Sequence, residues 1–143
     1  MRLLEMKRIL AFALLSSALL ISPACKKVEG PGGSSMIKGK INFRKYDLAG
    51  NIINEYPATE EDVYLIYGNS DSFFDDDVKT SYDGSFEFNY LQKGVYTVFM
   101  YEDCDPLLPA NECPSGKATV LFEIEISEKK SVKDLGTINL RKE

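Results

Sequence analysis

The chain has 143 residues, 17 Lys and Arg against 22 Asp and Glu, a net charge of −5, and no histidine. The missing histidine removes the commonest general base and the commonest zinc ligand. An acidic balance repels phosphate backbones and argues against nucleic acid as a partner.

The N-terminal residues follow an export pattern. Met6-Lys7-Arg8 supplies positive charge, residues 9–21 form an almost unbroken apolar run, and Ser22-Pro23-Ala24 offers small residues before Cys25. That order is a secretory signal, and the run falls short of the ~20 residues that span a bilayer. The stretch ISPAC, residues 21–25, resembles the lipobox of bacterial lipoproteins, with Ser22 where leucine is usual. The resemblance implies cleavage before Cys25, acylation of its sulfur and new amine, and anchoring at the outer membrane or cell surface. Ser22-x-Ala24 equally fits an ordinary signal-peptidase site, which would leave a free thiol at Cys25. Three cysteines is an odd number for an exported chain, and a lipid on Cys25 leaves Cys104 and Cys113 as one pair. The expected organisation is a signal peptide over 1–24, a lipidated Cys and flexible Gly/Pro/Ser tether over 25–35, and one domain over 36–143. Without residues 1–24 the chain keeps 14 basic and 21 acidic residues, a net charge of −7.

From residue 36 onward the pattern is that of strands. Residues 37–43 alternate apolar and polar, the period-2 signature of a half-buried strand, and Asp47-Leu48-Ala49-Gly50-Asn51 is a turn. A short strand over 52–56 ends at Pro57, which lacks the ladder N–H. Residues 62–67 form a stronger strand with Val63, Leu65 and Tyr67 on one face, followed by a loop over 68–77. Residues 78–81 lead into Asp83-Gly84, whose glycine supplies the positive φ of a tight hairpin turn. Phe86, Phe88 and Tyr90 are expected to share the next strand's inner face, up to a second turn at Gln92-Lys93-Gly94. Residues 95–101 are apolar on both faces, which predicts a central strand covered on each side or beneath a loop. Residues 117–127 alternate again, with Val120, Phe122, Ile124 and Ile126 inward, and 135–140 close the chain. Seven short strands at this spacing, with no helical periodicity, predict an all-β sandwich.

Gly39-Lys40-Ile41, then Asp47-Leu48-Ala49-Gly50, then Thr80-x-x-Asp83-Gly84-x-Phe86-x-Phe88-x-x-Leu91-x-x-Gly94-x-Tyr96-x-Val98, resemble the carboxypeptidase regulatory-like, or transthyretin-like, domains. The resemblance implies a seven-stranded Ig-like sandwich with Greek-key connections, used as an accessory or binding module without catalysis. Two departures stand out: Asp62 replaces a small residue, and the loop over 103–115 is long.

No phosphate loop, nucleophile elbow or converging acid pair is legible, so neither an enzyme nor a cofactor is expected. Cys104 and Cys113 flank DPLLPANE, and an oxidising compartment makes them a disulfide. Leu107 and Leu108 within that stapled loop are candidates for binding a partner protein of the envelope, against the plainer reading that they lid the core. The loop carrying Phe73 and Phe74 also holds Asp71, Asp75, Asp76 and Asp77, hard oxygen ligands of the kind calcium takes. Solvated turn residues are the plainer reading there, because the EF-hand pattern fails. Tyr46, Tyr56, Phe73 and Phe74 lie outside the strong strands and are the candidate sugar-stacking rings, the other aromatics being expected in the core. The function expected is a non-catalytic lipoprotein module of an envelope complex. The alternative is a stand-alone carbohydrate- or calcium-dependent adhesive domain.

Overall fold

A computed structural model describes residues 29–68, 73–109 and 111–143. The expected signal peptide, Cys25 and Asp71 lie outside the described residues. Eight strands are present: β1 (Pro31–Tyr46), β2 (Ile52–Pro57), β3 (Asp62–Tyr67), β4 (Asp76–Lys79), β5 (Ser85–Leu91), β6 (Gly94–Asp103), β7 (Lys117–Ile126) and β8 (Val132–Arg141). They form two four-stranded sheets that face each other as a sandwich. The eighth strand is β4, four residues that the sequence presents only as a lead into the hairpin.

The first sheet is organised around β1. Its parallel neighbour β8 runs along one edge, while β5 and then β2 pair antiparallel along the other. A parallel pair needs a long connection, and here the connection is the whole intervening chain. Ile41 marks the point where the partner changes: its N–H donates to Gly84 O (2.8 Å) and its carbonyl accepts from Ala58 N–H (3.0 Å). A Cβ on Gly84 would fall 2.2 Å from Ile41 O, and the φ of +82° disfavours any other residue. Gly39 is needed for a different reason, since the Phe86 ring lies across it and would meet a Cβ at 2.8 Å.

β4 and β5 lie in different sheets, so the Asp83-Gly84 turn, expected to close a hairpin, instead passes the chain from one sheet to the other. Thr80 ties that crossover to the chain before it. It is buried, its hydroxyl donates to Ala58 O and accepts from Glu61 N–H (2.9 Å), and its own N–H donates to Glu61 O (2.9 Å). Asp83 then accepts from both the N–H (3.1 Å) and the hydroxyl (2.7 Å) of Ser85. The residues of the T-x-x-D-G-x-F stretch therefore brace turns or fill the core.

The second sheet runs β4-β3-β6-β7, antiparallel throughout. Between the sheets lie Ile37, Ile41, Phe43, Val63, Leu65, Phe86, Phe88, Leu91, Tyr96, Val98, Met100, Ile124, Ile126, Ile138 and Leu140. Inward residues on β3, β6 and β7 follow the sequence alternation. On β5 the alternation breaks. Tyr90 takes a φ of +60° and points to solvent, and Leu91 fills the inward place expected of it. The register moves from Ile37↔Phe88 to Ser35↔Leu91 at the same point, the mark of a β-bulge.

The fold also begins earlier than expected. Residues 31–35, read as tether, are the start of β1. Ser35 is buried and accepts from Ser131 N–H (3.1 Å), while Gln92 Nε2 donates to Pro31 O (2.8 Å). Gly30 N–H donates to the buried Tyr96 hydroxyl (3.0 Å), which in turn donates to Gln92 O (2.9 Å). Glycine here serves close approach, because a Cβ on Gly33 would meet Leu91 O at 1.8 Å.

Candidate binding surface

The β3 and β6 strands carry aromatic residues on both parities, and only one set can face the core. Tyr96 points inward. Tyr64, Phe99 and Tyr101 point outward, onto the open face of the second sheet. Tyr64 and Phe99 are direct cross-strand partners, stacked with centroids 5.0 Å apart and planes at 20°. Tyr101 meets both edge-on, 5.9 Å from Tyr64 and 5.8 Å from Phe99. Phe74, from the β3–β4 connection, lies 4.7 Å from Tyr64. Leu121 of β7 sits opposite Phe99 and extends the row.

This cluster is wet on its outer side. Tyr101 is 41%, Phe74 45% and Leu121 54% exposed, and Phe73, next to Phe74 in sequence, is 83% exposed. No described element covers this face. Burial against its neighbours holds the Tyr64 phenol above its ordinary value, with the Asp62 charge adding to the effect. The hydroxyl thus stays protonated at neutral pH, able to donate and accept a hydrogen bond. The Lys79–Asp62 ion pair (2.6 Å) and Asp77, opposite Tyr64, supply a polar rim. An apolar floor with polar groups at its margin suits the apolar face of a pyranose with its hydroxyls directed outward.

The sequence reading places most strand aromatics in the core and therefore misses Tyr64, Phe99 and Tyr101. The apolar parity on both faces of residues 95–101 was the available signal. It predicts cover on each side, whereas β6 is central in its sheet and its outer face is covered only by its own neighbours. Among the rings nominated from the sequence, Phe74 joins the cluster, while Phe73 is exposed and stacks on none of its rings. Tyr56 instead packs against Phe43 at 5.8 Å, and Tyr46 lies beneath the Arg141 guanidinium at 4.3 Å.

Cys104 and Cys113 are bonded, with Cα atoms 6.3 Å apart. Leu107 and Leu108 are exposed, so they do not lid the core. Leu107 faces Leu48 of the β1–β2 turn across a groove of about 570 Å³, also lined by Tyr46, Pro106 and Arg141. Arg141 is held there by Asp105 (3.1 Å) and Glu143 (3.4 Å). A larger depression, about 740 Å³, contains Lys38, Lys40 and Lys79. Each of these is paired with a carboxylate, Asp134 (3.3 Å), Asp83 (3.8 Å) and Asp62 (2.6 Å), so the depression offers no net charge to an anion.

The acidic segment is dispersed. Asp75 Oδ2 accepts from Tyr67 N–H (2.7 Å) and Asp76 Oδ1 from Asp77 N–H (3.0 Å). Asp76 and Asp77 are successive strand residues and leave β4 on opposite faces. Among the described residues no three His, Cys, Asp or Glu side chains are placed to share a metal ion.

No protein-family model matches the chain, and no curated protein matches it. Solved structures that resemble it include the following two. A Pseudomonas aeruginosa protein described as a candidate carbohydrate binder is 15% identical with a TM-score of 0.45, over 79% of this chain and 91% of that one. An (S)-allantoin synthase is 11% identical with a TM-score of 0.40, over 77% of this chain and 42% of that one. Likenesses this distant say nothing of what the chain binds.

Proposed function

We propose that this protein is a non-catalytic carbohydrate-binding module of the cell envelope, held at the membrane by lipid on Cys25. Its site is the aromatic row of the second sheet. One observation carries the reading: Tyr64, Phe99, Tyr101 and Phe74 gather on an open sheet face instead of in the core. Burial would reward these rings if stability alone governed their placement, and a contiguous exposed apolar patch marks a contact surface. Export and lipidation rest on the residue order before Cys25. The β-sandwich resemblance drawn from Thr80 to Val98 supports an accessory, non-enzymatic role.

The test is retention on insoluble cellulose, chitin, xylan and peptidoglycan, scored by depletion of the soluble protein. Tyr101→Ala and Phe74→Ala are each expected to weaken retention several-fold while leaving the circular dichroism spectrum intact. A ring-stacking contact on an aromatic side chain is on the order of 1 kcal/mol, or about fivefold. Equal retention by wild type and both variants, or no retention on any of the four, removes the proposal.

A second surface favours the envelope-partner reading. Leu48 is 82% and Leu107 68% exposed, and they face each other across the groove at the disulfide end. If a protein partner docks there, the double substitution Leu48→Ser, Leu107→Ser abolishes its co-purification and leaves polysaccharide retention unchanged.

A further inference from the structure

The outer edge of β7 has properties that the glycan-binding role does not use. Cys104 N–H donates to Gly116 O (3.2 Å), which continues the β6–β7 ladder by one pair and fixes its parity. Even-numbered residues of β7 turn their N–H and C=O groups toward β6. The odd-numbered ones, Lys117, Thr119, Leu121, Glu123 and Glu125, turn theirs outward. All five are exposed, and no described strand pairs with them. The edge is ten residues long, against four for β4 on the opposite side of the same sheet.

Long free edges are commonly guarded by charge, and Lys117, Glu123 and Glu125 can be read as such guards. Their order argues otherwise. If a second copy adds antiparallel with Leu121 on the twofold axis, each odd residue meets the partner position that sums with it to the same register. Lys117 then stands opposite the partner copy's glutamate at position 125, with the glutamate at 123 on the diagonal. Thr119 stands opposite position 123, and Leu121 opposite itself. Opposite charges fall together at both ends, like charges meet nowhere along the ladder, and the exposed leucine is covered by its own copy. All outward N–H and C=O groups of residues 117–125 are paired in this arrangement. We propose that the protein forms a homodimer through β7–β7 pairing centred on Leu121, joining two four-stranded sheets into one of eight.

Position-specific cross-linking tests this on the full chain, expressed from its own N-terminus in a bacterial host and extracted in mild detergent. On the twofold axis Leu121→Cys would place two Cα atoms about 5.5 Å apart, within disulfide reach. Thr119→Cys would sit four residues from its own copy, roughly 13 Å, beyond reach. The expected result is a disulfide dimer on non-reducing gels for Leu121→Cys, above the level of the unsubstituted chain, and none for Thr119→Cys. Added to Leu121→Cys, Glu125→Lys should lower the cross-linked fraction at least fivefold, and Lys117→Glu should do the same. Co-expressing the two charge variants should restore it. Lys117 also pairs with Asp103 within the chain. Glu125→Lys disturbs no such intramolecular pair among the described residues, so it tests the register even if Lys117→Glu unfolds. Absence of a cross-link at 121, equal cross-linking at 119 and 121, or indifference to Glu125→Lys would each overturn the proposal.

Discussion

Thr80→Val isolates one hydroxyl at the point where the β4–β5 crossover is tied to the β2–β3 connection. Valine has nearly the same shape, so the buried site neither collapses nor swells, and only hydrogen bonding changes. Two groups lose partners. Ala58 O, buried, loses the donor it has in Thr80 Oγ1, and Glu61 N–H, partly buried, loses its acceptor at 2.9 Å. A stranded buried carbonyl costs about 1–3 kcal/mol and a partly buried N–H about 0.5–1.5, so the expected loss is about 2–4 kcal/mol. For a domain of this size that lowers the melting temperature by roughly 8–15 °C. Thr59→Val is the control, because its hydroxyl donates to Tyr82 O in an exposed setting at 3.2 Å and should change stability by no more than about 0.5 kcal/mol. Urea unfolding followed by circular dichroism measures both, with an unchanged slope showing that the variants unfold from the same compact state. A loss below about 1 kcal/mol for Thr80→Val, or one no larger than for Thr59→Val, would refute the assignment of Thr80 as the tie.

Two further outcomes are expected. The carboxyls of Asp83, Asp47 and Asp134 lie below their ordinary 3.8 because the Ser85 hydroxyl, the Asn51 amide and the Gly136 N–H respectively hydrogen-bond their charged forms. A depressed folded value stabilises the fold above about pH 4 and loses that stabilisation as pH falls through it. The urea midpoint should therefore hold between pH 5 and 7 and drop toward pH 3, less steeply in Asp83→Asn, and a midpoint rising on acidification would contradict the argument. Cys104→Ser with Cys113→Ser opens a loop closed across a sequence separation of 9 and should cost about 2.5–3 kcal/mol in urea unfolding. A cost near zero would mean that the turn bonds from Leu108 N–H to Asp105 O (3.0 Å) and Glu112 N–H to Pro109 O (2.9 Å) already order the loop.

Much of the architecture was legible because it is written in period-2 alternation and in turn glycines. The inward sets on β3 and β7, and the tight turns at Asp83-Gly84 and Gln92-Lys93-Gly94, follow from local rules, but both turns join strands of different sheets where the alternation predicts a hairpin. What escaped is non-local. The parallel pairing of β1 with β8 joins residues about a hundred positions apart and leaves no local trace. Tyr90 leaves the core because a bulge resets the register, and Leu91, next in sequence, serves equally well as core. The glycines and serines of 31–35 look like a linker, since a backbone packed tightly against a strand and a backbone with no constraint both favour small residues. The candidate site was hidden by a related ambiguity. An aromatic at an outward strand position and one at an inward position differ only in parity. When both parities are apolar, only the whole sheet shows which side is left open.

The aromatic row and the β7 edge acquire more meaning together than apart. One copy presents four rings, a patch small enough that binding to a single sugar segment would be weak. Pairing through Leu121 would bring the outer faces of two second sheets into one surface, with the two Tyr64 positions separated by five strand spacings, roughly 24 Å. A polymer spanning both patches binds the second as an intramolecular event, so its apparent affinity rises without any new contact, whereas a short oligosaccharide gains nothing. Glu125→Lys should then weaken retention on long polysaccharide while leaving affinity for short fragments of the same polymer unchanged. If both fall together, the substitution has damaged the aromatic site itself and the two surfaces are not independent.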